Sequence, residues 1–117
     1  MNFEPVRVAS IGMGWWSDVL ADAIEKTDKL KIASCFSRSK EKRDSFAKKY
    51  KCKSASSYED ILKDDSIEAI INTTPNHVHL ETTQSAATSK KHVFLDKPIA
   101  HTIQDGKKIA EICAKEN

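Results

Sequence analysis

Residues 6–17 read VRVASIGMGWWS and carry the strongest structural signal in this chain. A short apolar run breaks at Gly12-Met13-Gly14 and is followed directly by a segment with helical periodicity. A dinucleotide-binding loop requires this order of strand, tight turn and helix. The first glycine permits the turn, and the second lets the backbone approach a pyrophosphate at the positive end of the helix. Ser17 stands where the G-x-G-x-x-G pattern has its third glycine, and the stretch alone is also typical of an ordinary glycine-containing turn.

The composition is that of one small domain with nearly balanced charge. The 117 residues include 19 Lys and Arg against 17 Asp and Glu, a formal net charge of +2. There is no basic stripe with interleaved aromatic residues, so we expect no nucleic-acid partner. The lysine clusters at 48–53 and 90–91 are predicted to be solvated surface. No apolar run reaches the ~18 residues that a membrane span needs, so we expect no membrane association.

The cysteines and the amino terminus favour a cytoplasmic protein. Cys35, Cys52 and Cys113 are odd in number and have no paired spacing, which fits free thiols in a reducing compartment. The first residues, MNFEPVRV, lack the layout of a signal peptide and lead directly into the first strand. We therefore expect a cytoplasmic location.

Strand and helix signals alternate along the chain. The predicted strands are 6–11, 30–36, 52–55, 67–72 and 92–95, and the predicted helices are 15–27, 40–50, 58–63, 77–89 and 102–115. Ser39 and Ser57 are predicted to cap the second and third helices. The inner face of the first helix is predicted from its apolar spacing to be Trp16, Val19, Leu20, Ala23 and Ile24.

Such alternation predicts the fold class. Short connections between strands and helices produce right-handed βαβ units and a parallel sheet covered on both faces. We therefore expect a Rossmann-like, doubly wound α/β domain of three layers (αβα) with strand order 3-2-1-4-5. Its ligand crevice should lie at the carboxyl ends of strands 1 and 4.

Three further positions should surround a dinucleotide, and the first is the end of the second strand. An acidic residue about 20 positions after the loop binds the ribose 2′-hydroxyl of NAD, but here Ser37-Arg38-Ser39 occupies that place. A hydroxyl followed by a guanidinium suits a 2′-phosphate, because Ser can donate to it and Arg can pair with it or stack over adenine. We therefore expect NADP to be preferred over NAD. Alternatively, Arg38 is a surface residue at a helix start, where its charge opposes the helix dipole.

The second position is the segment 73–79, TTPNHVH, directly after the fourth strand. Pro75 can start the next helix because it fixes φ and needs no donor, while Thr74 and Asn76 offer short polar groups toward the ribose and nicotinamide. His79 is a candidate for substrate contact, or it caps or packs against the fold. Since His77 and His79 face different directions on a helix and no third ligand accompanies them, we predict no metal site.

The third position is Asp96-Lys97-Pro98 at the end of the fifth strand. This order places an ammonium in the crevice and a carboxylate near enough to orient it. A partly desolvated lysine there can hydrogen-bond a substrate hydroxyl and shuttle its proton during hydride transfer. The same three residues are also compatible with a surface Lys-Pro turn.

Together these segments resemble the nucleotide-binding half of the Gfo/Idh/MocA family, the glucose–fructose oxidoreductase and inositol dehydrogenase group. The matching stretches are VRVASIGMGWWS, SSYEDIL and SIEAIINTTPNHVHLETTQSAATSKKHVFLDKPIA. The T-P-N-H-x-H loop followed by an acid-Lys-Pro motif is fairly specific to that family. The resemblance therefore favours a functional role for Lys97 over a surface turn.

The resemblance implies a role for each candidate residue. Those that would hold the pyrophosphate are Gly12, Met13, Gly14, Trp15 and Trp16; those that would meet the adenosine ribose or its phosphate are Ser37 and Arg38; and those that would line the nicotinamide side are Thr73, Thr74, Pro75, Asn76 and His79. Lys97 would be the catalytic lysine, with Asp96 as its neighbour in the cofactor site and Pro98 shaping the turn.

The chain departs from the family pattern in three places. Ser17 replaces the third glycine, so the helix must pack on the strand with a side chain present. Asp96 replaces the usual glutamate, which shortens its reach toward the nicotinamide ribose. Family members also continue into a second α/β domain that binds substrate, supplies a catalytic histidine and usually mediates oligomerisation. We expect residues 1–117 to be the NAD(P)-binding domain alone, truncated before a sixth strand, with homo-oligomers only in a full-length form.

Two functional hypotheses follow from different classes. The first is an NADP-preferring oxidoreductase that transfers hydride between nicotinamide and a small-molecule substrate, a sugar, polyol or related cyclic alcohol. The alternative is a non-catalytic dinucleotide-binding sensor, which has less need of Lys97 and the T-P-N-H loop. A methyltransferase or short-chain dehydrogenase fits poorly, because the sequence has no Tyr-x-x-x-Lys pair and the Asp96-Lys97-Pro98 motif would go unexplained.

Overall fold

The computed structural model describes residues 4–97, 100 and 102–116, so the predicted site residue Pro98 lies outside the described residues. The strands are β1 (Val6–Ile11), β2 (Leu30–Phe36), β3 (Lys53–Ser54), β4 (Ala69–Asn72) and β5 (His92–Leu95). The helices are α1 (Trp15–Glu25), α2 (Lys40–Tyr50), α3 (Tyr58–Lys63), α4 (His79–Thr88) and α5 (Ile103–Glu116), and a 3-10 turn (Asn76–Val78) precedes α4.

The strands form one parallel sheet in the order β3-β2-β1-β4-β5, which confirms the predicted topology. The central strand β1 pairs with β2 on one side and with β4 on the other. The chain therefore winds outward from β1 in both directions. The helices that follow β1 and β4 lie on opposite faces of the sheet, and a crevice is expected at the carboxyl ends of these strands.

A hydrophobic core lies on each face of the sheet. The buried residues on the face covered by α1 and α2 include Val8, Ile32, Cys35, Phe46 and Tyr50. Those on the face covered by α3 and α4 include Ala9, Ile11, Ile61, Ile70 and Ala86. Because β1 is buried on both faces, its sequence is a nearly continuous apolar run rather than an alternating one.

Two of the helix starts have the caps that the sequence predicts. The Ser39 hydroxyl accepts a hydrogen bond from the Lys42 N–H at 3.3 Å, and the Ser57 hydroxyl accepts one from the Asp60 N–H at 3.1 Å. Helix α1 differs, because it follows Gly14 without any side-chain cap. The N–H groups of its first turn are therefore available as hydrogen-bond donors to a group in front of the helix.

The predicted inner face of α1 is only partly correct. Leu20 and Ile24 pack against the core as expected, but the fully buried positions are Ser17 and Ala21, and Trp16 is 41% exposed. The Ser17 hydroxyl donates to the Gly14 carbonyl at 2.7 Å, which satisfies its polar group inside the protein. The small residue Ser17 thus lies on the buried face of α1, and the large Trp16 ring is partly exposed to solvent.

Lys91 contradicts the prediction of a solvated lysine cluster at the end of α4. Its side chain is buried, and its ammonium donates to the carbonyls of Asp64 at 2.9 Å and Ile67 at 2.7 Å. Its neighbour Lys90 is exposed and pairs with the Glu116 carboxylate. The Lys91 ammonium therefore stabilises the connection between α3 and β4, because it bridges the Ile67 carbonyl and the Asp64 carbonyl, which also accepts from the Ile67 N–H at 3.1 Å.

The remaining surface features are simple. No helix in the described part of the chain is both long and apolar enough to cross a bilayer. The cysteines are free thiols, as expected, with Cys35 buried, Cys52 half-buried and Cys113 exposed.

Candidate functional site

An open cleft of about 670 Å³ lies at the carboxyl ends of β1, β2 and β4, where the sequence predicts the crevice. This volume is within the range of sites that hold small molecules and cofactors. Its wall is formed by Ile11, Gly12, Met13, Gly14, Phe36, Ser37, Arg38, Ser39, Lys42, Tyr58, Thr73, Thr74, Pro75, Val78, Glu81 and Thr82. The three segments singled out after β1, β2 and β4 therefore meet in one place.

The glycine turn is locked against the loop that follows β4. Gly12 has a φ of +84°, and a Cβ on it would lie 2.7 Å from the Thr73 carbonyl carbon and oxygen and from the Thr74 nitrogen. The Thr73 hydroxyl bonds back to the carbonyls of Gly12 at 2.9 Å and Ile11 at 3.1 Å. Glycine is thus required at this position by the close approach of a second backbone as well as by the turn.

The second glycine leaves open space at the start of α1. Gly14 is extended and exposed, and nothing lies within 4 Å of the position its Cβ would take. The first-turn amides of α1 have no side-chain cap, and they lie at the positive end of the helix dipole. An uncapped helix start behind a glycine that leaves room for a ligand is a cradle for a pyrophosphate, so the residues present fit a dinucleotide.

The two tryptophans stand beside the cleft and do not fill it. Trp15 is 77% exposed and Trp16 is 41% exposed, with ring centroids 5.9 Å apart. Neither ring forms part of the cleft wall. Met13 differs, because its side chain packs against the hydrophobic core under α1. Of these three predicted loop residues, only Met13 lines the cleft, and Trp15 and Trp16 stand beside it in the uncapped first turn of α1.

Two cations, Arg38 and Lys42, stand in the cleft wall where β2 ends. Neither Arg38 nor Lys42 makes a side-chain hydrogen bond or ion pair within the described residues. The neighbouring Arg43 differs, because its guanidinium already donates a hydrogen bond to the Ser37 carbonyl at 3.1 Å. The Ser37 hydroxyl accepts from the Ser39 N–H and keeps its own proton to donate. The sequence analysis missed Lys42, although a cation in the first turn after the Ser39 cap opposes the helix dipole just as Arg38 does.

Asn72 organises the loop after β4, and the sequence analysis did not identify it. The side chain is completely buried, and its amide nitrogen donates to the hydroxyls of Thr82 at 2.7 Å and Thr83 at 3.3 Å. Its amide oxygen accepts from the Thr74 N–H at 3.2 Å and the Thr74 hydroxyl at 2.6 Å. The Thr74 hydroxyl proton is therefore committed to Asn72, and only its oxygen remains for a ligand. A polar residue that ends a buried strand was the available signal.

His79 lies behind the same loop. It is fully buried, and its Nε2 is 2.7 Å from the Thr74 carbonyl oxygen. A carbonyl only accepts hydrogen bonds, so Nε2 carries the proton. Of its predicted neighbours, Pro75 lines the cleft, whereas Asn76 is exposed outside its wall. The geometry gives His79 a positioning role for the loop in addition to the packing that the sequence allowed.

Asp96 and Lys97 lie at the edge of the sheet next to the cleft. The Asp96 N–H donates to the Asn72 carbonyl at 3.0 Å, which continues the pairing of β5 with β4. Lys97 follows as an exposed residue, and neither side chain belongs to the cleft wall. Lys97 thus stands on the same edge as Thr73 and Thr74, one strand further out. Within the described residues, no cluster of potential ligands could hold a metal ion.

The far wall of the cleft comes from α3 and α4, which the sequence analysis did not connect with the site. The Tyr58 hydroxyl donates to the Thr82 carbonyl at 2.7 Å, and burial raises the pKa of Tyr58. The Thr82 hydroxyl donates to the Val78 carbonyl at 2.7 Å. Glu81, next to Thr82, is exposed and lines the cleft. These residues lie within stretches that resemble the family, but the sequence assigns them no role, because only the folded chain brings α3 and α4 to this end of the sheet.

The sheet order, the glycine turn and the cleft define a dinucleotide-binding domain of the doubly wound α/β class. The sequence model of the family described as "Oxidoreductase family, NAD-binding Rossmann fold" matches residues 6–117. The chain belongs to this family, the Gfo/Idh/MocA oxidoreductases, which confirms the resemblance seen in the sequence.

Individual relatives agree with the family. The NADP(+) D-xylose 1-dehydrogenase of Haloarcula marismortui is 32% identical over 115 residues, which cover 94% of this chain and 32% of that protein. A proposed NADPH-dependent oxidoreductase from Desulfitobacterium hafniense has a crystal structure with a TM-score of 0.95 at 36% identity, covering 98% of this chain and 33% of that one. The structure of biliverdin reductase from Synechocystis, solved with biliverdin and NADP+, gives a TM-score of 0.89 at 25% identity. The match covers 96% of this chain and 35% of that one.

These comparisons establish the broad function. The chain is an NAD(P)-binding oxidoreductase domain, and its cofactor is a nicotinamide dinucleotide. Its relatives include dehydrogenases and reductases, which does not support the alternative of a non-catalytic sensor. The chain spans about a third of the length of the relatives it matches.

Proposed function

We propose that this domain is the cofactor-binding part of an NADP-preferring oxidoreductase that acts on the CH–OH group of a sugar, polyol or related cyclic alcohol. The observation that carries the proposal is the cleft itself. A glycine turn at an uncapped helix start, two cations and a threonine-proline loop surround one space of about 670 Å³. The domain would be residues 1–117, and the remainder of the substrate site would belong to a longer protein.

The first part of the proposal concerns the pyrophosphate. The backbone amides from Met13 to Trp16 would bind it, because the start of α1 offers uncapped donors and positive potential. Gly14 leaves the space that the phosphate oxygens need, and Gly12 keeps the turn tight against Thr73. Ser17 would take no part, since its hydroxyl proton is given to the Gly14 carbonyl.

The preference for NADP follows from the end of β2. Arg38 and Lys42 would pair with the 2′-phosphate, and the Ser37 hydroxyl would donate to it. The carboxylate that would bind a free 2′-hydroxyl is absent from this position. The start of α2 at Lys40 adds a favourable dipole for a negative group.

The chemistry would take place at the other end of the cleft. Bound nicotinamide supplies the hydride acceptor or donor. Thr73, Thr74 and Pro75 would line its side, with His79 holding the loop and Asn76 at the exposed rim. Lys97 would donate a hydrogen bond from Nζ to the substrate hydroxyl oxygen and move the proton between them, with Asp96 as its neighbour. The sugar assignment draws support from the D-xylose dehydrogenase among the relatives.

A binding experiment tests the cofactor assignment. We expect calorimetric titration of the 117-residue chain to show tighter binding of NADP than of NAD. Replacing either cation, Arg38→Ala or Lys42→Ala, should weaken NADP binding about tenfold or more and leave NAD binding nearly unchanged, because only NADP carries the 2′-phosphate. Lys31→Ala is the matched control, since Lys31 is an exposed cation in β2 away from the cleft. A wild-type preference for NAD would contradict the proposal.

A further inference from the structure

Glu81 contributes the acidic side chain of the cleft wall. It lies in the first turn of α4, and every other residue that lines the cleft is apolar, neutral or cationic. The dipole of α4 favours a carboxylate in this turn, but the same residue also lines a cleft whose other charged residues, Arg38 and Lys42, are cations. A ligand group that Glu81 could bind in the cleft is one that donates hydrogen bonds.

The polar groups around Glu81 are already committed to the protein. The Tyr58 hydroxyl donates to the Thr82 carbonyl, and the Thr82 hydroxyl donates to the Val78 carbonyl. Glu81 itself makes no side-chain hydrogen bond or ion pair in the part of the chain that the structure describes. Its carboxylate thus stands in the cleft as a hydrogen-bond acceptor with unused capacity.

The surroundings of Glu81 suit an aromatic base. Phe36 and Tyr58 both pack against the same core cluster, and with Val78 they give this part of the cleft an apolar lining. Arg38 follows Phe36 by two residues and stands at the predicted 2′-phosphate position. A ribose carries both its 2′-substituent and its base, so a ribose held at Arg38 leaves the base in the neighbouring, apolar part of the cleft.

We propose that Glu81 is the base-specificity residue of this site and accepts a hydrogen bond from the 6-amino group of adenine. The inference rests on the proposed function, because it assumes that the cleft binds a dinucleotide with its adenosine at the end of β2. A carboxylate only accepts hydrogen bonds, so it distinguishes an amino group from a carbonyl oxygen at the same ring position.

The test compares NADP with its hypoxanthine analogue, deamino-NADP, in which a carbonyl oxygen replaces the 6-amino group. The two tryptophans of the sequence, Trp15 and Trp16, both lie in the first turn of α1, so their fluorescence reports binding. We expect the wild-type chain to bind NADP about tenfold more tightly than the analogue. Glu81→Gln should bring the ratio of the two dissociation constants close to one, because an amide can donate as well as accept.

Two further variants make the result specific. Glu81→Ala should bind both dinucleotides with similar affinity, while Glu111→Gln removes the same charge from an exposed position on α5 and should keep the wild-type ratio. Equal binding of both dinucleotides by the wild type, or an unchanged ratio in Glu81→Gln, overturns the role of Glu81 and leaves the proposed function intact. Failure of the wild type to bind NADP at all overturns both.

Discussion

At Gly12, two properties of one residue exclude a side chain. Its φ of +84° is unfavourable for an L-residue, and a Cβ would sit 2.7 Å from the Thr73–Thr74 peptide. We expect Gly12→Ala to lower the free energy of unfolding by about 2–4 kcal/mol and to abolish NADP binding, because the β4 loop must move away from the turn. Urea denaturation and a fluorescence titration measure the two effects.

Gly14 provides the matched substitution for this prediction. Its φ is −116° and nothing lies within 4 Å of the added methyl group. Gly14→Ala should therefore lower the free energy of unfolding by no more than about 1 kcal/mol, the preference for glycine over alanine at a helix N-cap, yet weaken NADP binding, since the methyl occupies the space in front of α1. If Gly12→Ala proved as stable as the wild type, the contact with the Thr73–Thr74 peptide would not constrain the turn.

The residues of the site differ in whether a motif in the sequence marks them. Gly12 and Arg38 could be predicted, because the spacing of a motif along the chain marks them. The roles of Asn72 and His79 could not, since each is defined by a partner that only the folded loop presents. Glu81 carries no motif and became a candidate through its place in the cleft wall. The sequence therefore predicted that the loops after β1, β2 and β4 line the cleft, and the structure was needed to show which side chains hold them together.

Among the elements, those with strong local patterns were predicted most accurately. β1, β2, α3 and β5 have the predicted bounds, because apolar periodicity and capping residues mark them directly. β3 is shorter than the predicted 52–55, since only Lys53 and Ser54 find partners on β2. The length of an edge strand depends on the register of its neighbour, which the sequence of that strand does not contain.

Helix α1 offers a test of the missing third glycine. Ser17→Gly restores the glycine pattern, but we expect it to lower the free energy of unfolding by about 1 kcal/mol, because glycine is a poor helix residue and the buried hydroxyl is lost. Ser17→Ala should cost less, since it keeps a Cβ in the helix. Neither change should alter NADP affinity more than about twofold. A tighter-binding Ser17→Gly variant would show that Ser17 obstructs the cofactor loop.

The connection between α3 and β4 depends on one buried lysine. Lys91→Met should lower the free energy of unfolding by about 1–3 kcal/mol, because the Ile67 carbonyl loses its donor and the Asp64 carbonyl keeps only the Ile67 N–H. Lys90→Met is the control: it removes an exposed ion pair with Glu116 and should leave the urea midpoint almost unchanged. Equal midpoints for the two variants would mean that the Lys91 ammonium adds nothing to stability.

For the molecule as a whole, the important feature is that the cleft joins both halves of the sheet. Its walls come from the β1 and β2 loops on one side of the switch point and from the β4 loop, α3 and α4 on the other. A ligand in this cleft contacts segments that are distant in the sequence. Its binding energy therefore stabilises the global fold rather than one local element.

A thermal unfolding experiment exploits this arrangement. At a concentration 100 times its dissociation constant, a ligand that binds only the folded state adds about 2.7 kcal/mol, which for a domain of this size raises the melting temperature by roughly 10 °C or more. We expect NADP to raise the melting temperature more than NAD does at equal concentrations. At equal multiples of their dissociation constants, the two ligands should raise it by the same amount. Because Arg38 and Lys42 lie at an open cleft, added salt should screen them and reduce the difference between the melting temperatures with NADP and with NAD. If salt left this difference in melting temperature unchanged, the preference for NADP would not arise from Arg38 and Lys42.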